Sequence, residues 1–96
     1  MTQESVLKKA IKARLEEQGA YWCEIKGGAH SKPGDPDIVA CVNGRFLAIE
    51  AKTPDGRLSE SQALRARQIL ASEGLWVCAR SVGDVEEALR TLRNSP

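Results

Sequence analysis

Asp37, Glu50 and Lys52 interrupt a strongly apolar run, GDPDIVACVNGRFLAIEAK at residues 34–52. Charges are seldom built into a hydrophobic sheet unless they are paired, metal-bound or chemically active. Asn43-Gly44 between two β-rich segments is the strongest short signal for a two-residue hairpin with a type I′ turn. With those two residues as the loop, Val42 pairs with Arg45. Counting outward, Cys41 faces Phe46, Val39 faces Ala48 and Asp37 faces Glu50. Alternation then sets Asp37, Val39, Cys41, Phe46, Ala48, Glu50 and Lys52 on one face.

Directly opposed strand residues have Cβ atoms about 4.5–5.5 Å apart. Two carboxylates that close repel, and the pair is costly unless a proton or a cation bridges it. An all-oxygen site favours Mg²⁺ or Mn²⁺ over zinc. Lys52 lies two residues past Glu50 on the same face. A metal ion next to an ammonium suits binding a phosphate, orienting a water against it and steadying the charge that develops. The plainer alternative is a solvent-facing strand end carrying an ordinary Glu–Lys pair. It accounts for Lys52 but not for an aspartate opposite a glutamate.

These groups need a scaffold, and the periodicities supply one. Over 3–18, apolar residues at Val6, Leu7, Ala10, Ile11 and Leu15 have the spacing of a helix with one buried stripe, capped by Thr2 and stopped by Gly19. Residues 20–26 read as a strand, followed by GGAHSKPGDP, a turn-rich loop long enough to carry function. After the hairpin, TPDGRL ends the sheet. Ser59-x-x-Gln62 reads as a capping box that opens a helix over about 59–73, with Gly74 ending it. LWVCAR at 75–80 is a fourth strand. A last helix at about 83–93 has Val85, Ala88, Leu89 and Leu92 on one face. The order α-β-β-β-α-β-α, with few polar positions on either strand face, predicts an α/β fold with a mixed central sheet flanked by helices. Glu4 lies on the stripe of the first helix and can reach the same site; an acid there also suits the helix dipole while facing water.

The 96 residues, 42% hydrophobic and 28% charged, are expected to form one domain, 1–96. The first 19 residues hold no apolar core of a secretory signal, and no stretch is apolar enough to span a membrane, so a cytoplasmic protein with no membrane partner is expected. Cys23, Cys41 and Cys78 are odd in number and form no C-x-x-C, and each falls in an apolar run. They read as buried reduced thiols rather than as disulfides or a zinc site. The net charge of +1 announces no nucleic-acid binder. Its distribution is more suggestive, with Lys8, Lys9, Lys12 and Arg14 crowding the first helix and Lys26 and Lys32 flanking the loop. A solvated surface balanced by acids is the equal alternative.

Pro36-Asp37, a hairpin and Glu50-Ala51-Lys52 together resemble the PD-(D/E)xK nuclease signature. The chain is most similar to its VRR-NUC branch, the virus-type replication–repair nucleases. The matching features are Gly34-x-Pro36-Asp37, Gly44-Arg45-Phe46, Glu50-x-Lys52 and Gln62, within a likeness that runs over about residues 3–92. A short chain that is all nuclease domain resembles the stand-alone members found in phages. The resemblance implies a restriction-endonuclease-like core and a Mg²⁺- or Mn²⁺-dependent deoxyribonuclease. It implies Asp37, Glu50 and Glu4 as metal ligands with the backbone carbonyl of Ala51, and Lys52 positioning or activating the attacking water. Gln62 would stand near the scissile phosphate, a role compatible with its capping box.

Stand-alone members of the branch resemble Holliday-junction resolvases, which cut two strands symmetrically. One site per small domain then requires a homodimer. A nickase or flap-type nuclease, a non-catalytic DNA-binding module and a small interaction domain are the alternatives. Lys8, Lys12, Lys26, Ser31 and Lys32 are candidate contacts to the DNA backbone. Asp35 departs from the pattern: it would lie across from Lys52 unless Pro36 breaks the register and leaves it in solvent. His30 reads as a loop histidine, solvated or near a phosphate. Tyr21, Trp22 and Trp76 read as core, an exposed Trp being a sign of a dimer interface.

Overall fold

The protein is described by a computed structural model, which covers residues 2–27 and 31–94. Its elements run α1 (Gln3–Glu17), β1 (Tyr21–Glu24), β2 (Ile38–Val42), β3 (Arg45–Ala51), α2 (Glu60–Ala71), β4 (Leu75–Ala79) and α3 (Val82–Arg93). The four strands lie in the order β1-β2-β3-β4. β1, β2 and β3 pair antiparallel and β4 joins β3 in parallel through the α2 crossover, so the sheet is mixed as expected. Among the described residues, no helix is long and apolar enough to cross a membrane.

Local sequence sets the element ends. Asn43 and Gly44 both have positive φ, 52° and 77°, the conformation of a type I′ turn. The hairpin keeps the counted register from Val42↔Arg45 to Ile38↔Ile49. Thr2 and Ser5 form one capping box and Ser59 and Gln62 another. Helix α2 stops earlier than Gly74. Ser72 caps it, and Glu73 takes the left-handed turn at φ 68°. Gly74 serves packing instead, because a Cβ there would come within 3.0 Å of Ile69 Cγ2 and 3.1 Å of Phe46 Cδ2.

The two sheet faces differ. Ile38, Ala40, Leu47 and Ile49 turn toward α1 and α3 and pack with Ile11, Leu15, Val85, Leu89 and Leu92 into the main core. On the other face α2 lies over the β3–β4 side, where Ile69 and Phe46 both come up against Gly74. Among the described residues no helix covers the β1–β2 side of that face, where Tyr21 and Cys41 are exposed. This corrects three sequence expectations. Cys23 and Cys41 are exposed and Cys78 is half-buried, so the thiols are not core residues. Tyr21 is 75% exposed, and Val6 and Ala10 on α1 also face outward. Cys41 lies on the face that alternation gave it, but a half-covered face leaves its apolar positions in water, and on α1 the buried stripe is narrower than expected, with only Ile11 and Leu15 fully buried. Trp22 is half-buried on the covered face, and its Nε1–H donates to Glu16 Oε1 at 2.8 Å.

Candidate active site

The polypeptide holds Asp37 from three directions. Its N–H donates to the Ile49 carbonyl at 3.1 Å and its carbonyl accepts from Ile25 N–H at 2.8 Å. Its Oδ2 accepts from the backbone N–H of Ala51 at 2.8 Å. The strand pairing ends one residue earlier, at Ile38↔Ile49, so the carboxylates meet through side chains rather than as a ladder pair. Pro36 explains the departure, since it has no N–H to continue the ladder.

Glu50 is 3% exposed and is the one buried charged side chain among the described residues. Burial, then a hydrogen bond to Asp37 and the negative charge of Asp37, push its carboxyl up to about 8, while Lys52 pulls weakly the other way. Its neutral form is therefore favoured by the surroundings far more than that of an ordinary glutamate. Glu4 adds the smallest push, and its side chain stands half-exposed at the rim.

Lys8 stands where sequence reasoning had not assigned it. Its ammonium lies 3.5 Å from Asp37 Oδ1 and 3.4 Å from Glu4 Oε1, with the side chain 24% exposed. Partial burial works against its charge, but Asp37 and Glu4 outweigh burial and hold it above its ordinary value. The signal was available in part: Glu4 and Lys8 are four residues apart on one helix face.

Lys52 is half-buried and its backbone N–H donates to the Ala79 carbonyl at 2.9 Å, tying it to β4. A Cβ on Gly56 would lie 3.3 Å from Lys52 Cδ, so this glycine lets the following turn pass close to the lysine stem. That turn is clamped by Arg80, whose Nη1 donates to the carbonyls of Thr53 at 2.7 Å, Pro54 at 3.3 Å and Gly56 at 2.7 Å. Nothing in the sequence spacing of 24–27 residues pointed to this clamp.

The loop before Asp37 is docked onto α2. Gly34 has φ +84°, and a Cβ there would sit 2.3 Å from the Ser61 carbonyl carbon and oxygen. Only glycine permits both the conformation and the approach. Asp35 neither pairs with Lys52 nor points into water. It accepts from Lys32 N–H at 2.9 Å and lies 3.5 Å from Arg65 Nε, which fixes the loop to the helix. Gln62 spends its side-chain oxygen on Ser59 N–H at 2.8 Å, as the capping box requires, and its amide nitrogen keeps two N–H donors.

Of the candidate DNA contacts, Lys26 and Lys32 are exposed on either side of the loop, and Ser31 is half-buried. Lys12 is paired with Glu24, which it holds below the usual carboxylate range, and stands 5.9 Å from the Trp22 ring centre. His30 lies outside the described residues. The structure thus brings Asp37, Glu50, Lys52, Lys8 and Glu4 to one place, with Gln62 held at the neighbouring helix start.

No family model and no curated protein matches the sequence. Solved structures do match its fold. A VRR_NUC domain superposes with a TM-score of 0.80 at 17% identity, covering 94% of this chain and 97% of that one. Hjc from Archaeoglobus fulgidus, a Holliday junction resolvase of an archaeal hyperthermophile, gives a TM-score of 0.55 at 21% identity, over 80% of this chain and 70% of that one. The protein has the restriction-endonuclease-like α/β fold of a VRR_NUC domain.

Proposed function

We propose that this protein is a Mg²⁺- or Mn²⁺-dependent endodeoxyribonuclease that hydrolyses phosphodiester bonds in branched DNA such as Holliday junctions. The observation that carries this reading is the buried Glu50 carboxyl, close enough to Asp37 to be pushed up by its charge and to Lys52 to be drawn down by it. A buried acid pair is a poor stabiliser compared with apolar packing, so its placement points to chemistry. The fold likeness to a Holliday junction resolvase supports the substrate class.

The donor set fits a hard divalent cation. Mg²⁺ often takes one or two carboxylates and keeps several waters. That suits this site, where among the described residues no three His, Cys, Asp or Glu side chains converge to cage an ion. Asp37 and Glu50 would hold the ion, with the Ala51 carbonyl and, from the rim, Glu4 as further oxygen donors. When bound, the ion would act as a Lewis acid on the phosphate and make a neighbouring water more acidic. The chain's own groups do the rest. Ala51 N–H keeps Asp37 aimed. Lys52, steadied by Gly56 and the Ala79 carbonyl, offers an ammonium to the negative charge that builds on the phosphate and to the attacking water. Gln62 offers its amide N–H groups to the same region. Lys26 and Lys32 would grip the backbone of the DNA.

The reading is tested by incubating four-way, flap and duplex DNA with Mg²⁺, Mn²⁺ or EDTA. Cleavage is expected with metal only, and Asp37→Asn should lower it by about 100-fold or more. No product on any substrate would leave a DNA-binding module without turnover.

Symmetric cutting of a junction needs two sites, hence a second copy of the chain. The exposed β1–β2 side of the sheet, with Phe46 at its border with α2, supports a place for it. Tyr21, Cys41 and Phe46 follow one another across β1, β2 and β3, with Tyr21 75% and Phe46 46% exposed. An apolar row of this kind is a preferred dimer surface. Phe46→Glu is expected to give a monomer by light scattering and to uncouple the two cuts. An active wild-type monomer would instead favour a nickase or flap-type nuclease.

A further inference from the structure

We propose that Lys8 is an internal counter-ion that competes with the divalent cation for Asp37 and sets the affinity of the site. This inference rests on the metal-dependent reading above. Three observations carry it. The Lys8 ammonium lies 3.5 Å from Asp37 Oδ1, which is the oxygen not taken by Ala51 N–H. The same ammonium lies 3.4 Å from Glu4, so it bridges the two acids that flank Glu50 from α1 and from the start of β2. Its side chain is 24% exposed, far enough from water that the interaction is only partly screened.

The charges around the site give the role its purpose. Glu4, Asp37 and Glu50 can carry three negative charges, and Lys8 and Lys52 carry two positive ones. A divalent cation then leaves the site with one net positive charge, which matches one phosphodiester. Without Lys8 the loaded site would be neutral. The lysine therefore weakens binding of the cation alone and favours binding of cation and phosphate together. A contact to DNA would give Lys8 a different signature, because losing it would weaken DNA binding and leave the affinity for metal unchanged.

The test is calorimetric titration of Mn²⁺ into the DNA-free full chain, with thermal melting in EDTA as a second readout. Lys8→Met is expected to bind Mn²⁺ about tenfold more tightly than wild type. Its melting temperature in EDTA should fall by roughly 4–8 °C. Lys8→Arg, which keeps the charge, should resemble wild type in both. In the presence of a non-cleavable four-way junction, the gain in Mn²⁺ affinity that DNA produces should be smaller for Lys8→Met. Equal or weaker Mn²⁺ binding by Lys8→Met overturns the role of Lys8 while leaving the metal site standing. A fall in melting temperature without a change in affinity assigns Lys8 a merely structural part and overturns it too. Absence of Mn²⁺ binding to wild type overturns the metal-dependent reading and this proposal with it.

Discussion

At pH 9 in EDTA, Glu50→Gln is expected to melt at a higher temperature than wild type while losing strand cleavage. Glu50 is held at about 8 in the folded protein against an ordinary value of 4.5, so the folded state binds its proton more tightly than the unfolded state does. The stability this contributes is complete below about 4.5, declines as pH rises and is lost once pH passes 8. Above that point two adjacent carboxylates are ionised and only Lys8 and Lys52 offset them. The difference between pH 5 and pH 9 should be on the order of 2–4 kcal/mol. Glutamine cannot ionise, and its amide can still donate to Asp37, so its melting curve should change little over that interval.

Added Mg²⁺ or Mn²⁺ should restore the wild type at pH 9 and leave the variant unmoved, because the cation does in the ionised pair what the proton does at lower pH. Scanning fluorimetry across pH, with and without metal, measures all of this. A wild-type profile as flat as that of the variant would mean that the carboxyls do not press on one another.

Lys52→Met is expected to lower the single-turnover cleavage rate by about 10²–10³ and to leave Mn²⁺ binding within a few-fold of wild type. One preorganised donor to a developing anion is worth about that much. The lysine is not among the groups that would hold the cation, and its stem packs beside Gly56 in a turn that Arg80 clamps independently. Methionine preserves the stem, so the fold should hold. A gel shift on a four-way junction in Ca²⁺, where binding is read without turnover, should move little. If the variant cuts at the wild-type rate, Lys52 does not touch the reacting phosphate. If it fails to bind metal, the lysine positions the carboxylates rather than the substrate.

The parts of the molecule that could be read from the chain are those set by a few neighbouring residues. Asn43-Gly44 accepts two positive φ angles in succession, and that local fact carries the hairpin register as far as Ile38↔Ile49. Alternation then puts Glu50 on the face opposite Ile49, while Asp37 lies just past the end of the ladder. Ser59 and Gln62 cap α2 for reasons contained within four residues, and the stripe Val85, Ala88, Leu89, Leu92 buries itself as its period requires. What could not be read depends on where distant elements land. The exposure of Cys41 and Tyr21 follows from α2 lying over one half of a sheet face, which no strand pattern encodes. Lys8 faces Asp37 because the docking of α1 rotates that side of the helix toward the start of β2, across 29 residues of chain. Gly34 against Ser61, Asp35 against Arg65 and Arg80 over the Thr53–Gly56 turn are likewise contacts between elements far apart in sequence. Short-range dihedral preferences and hydrogen bonds specify elements and faces. Long-range packing chooses which groups on those faces meet.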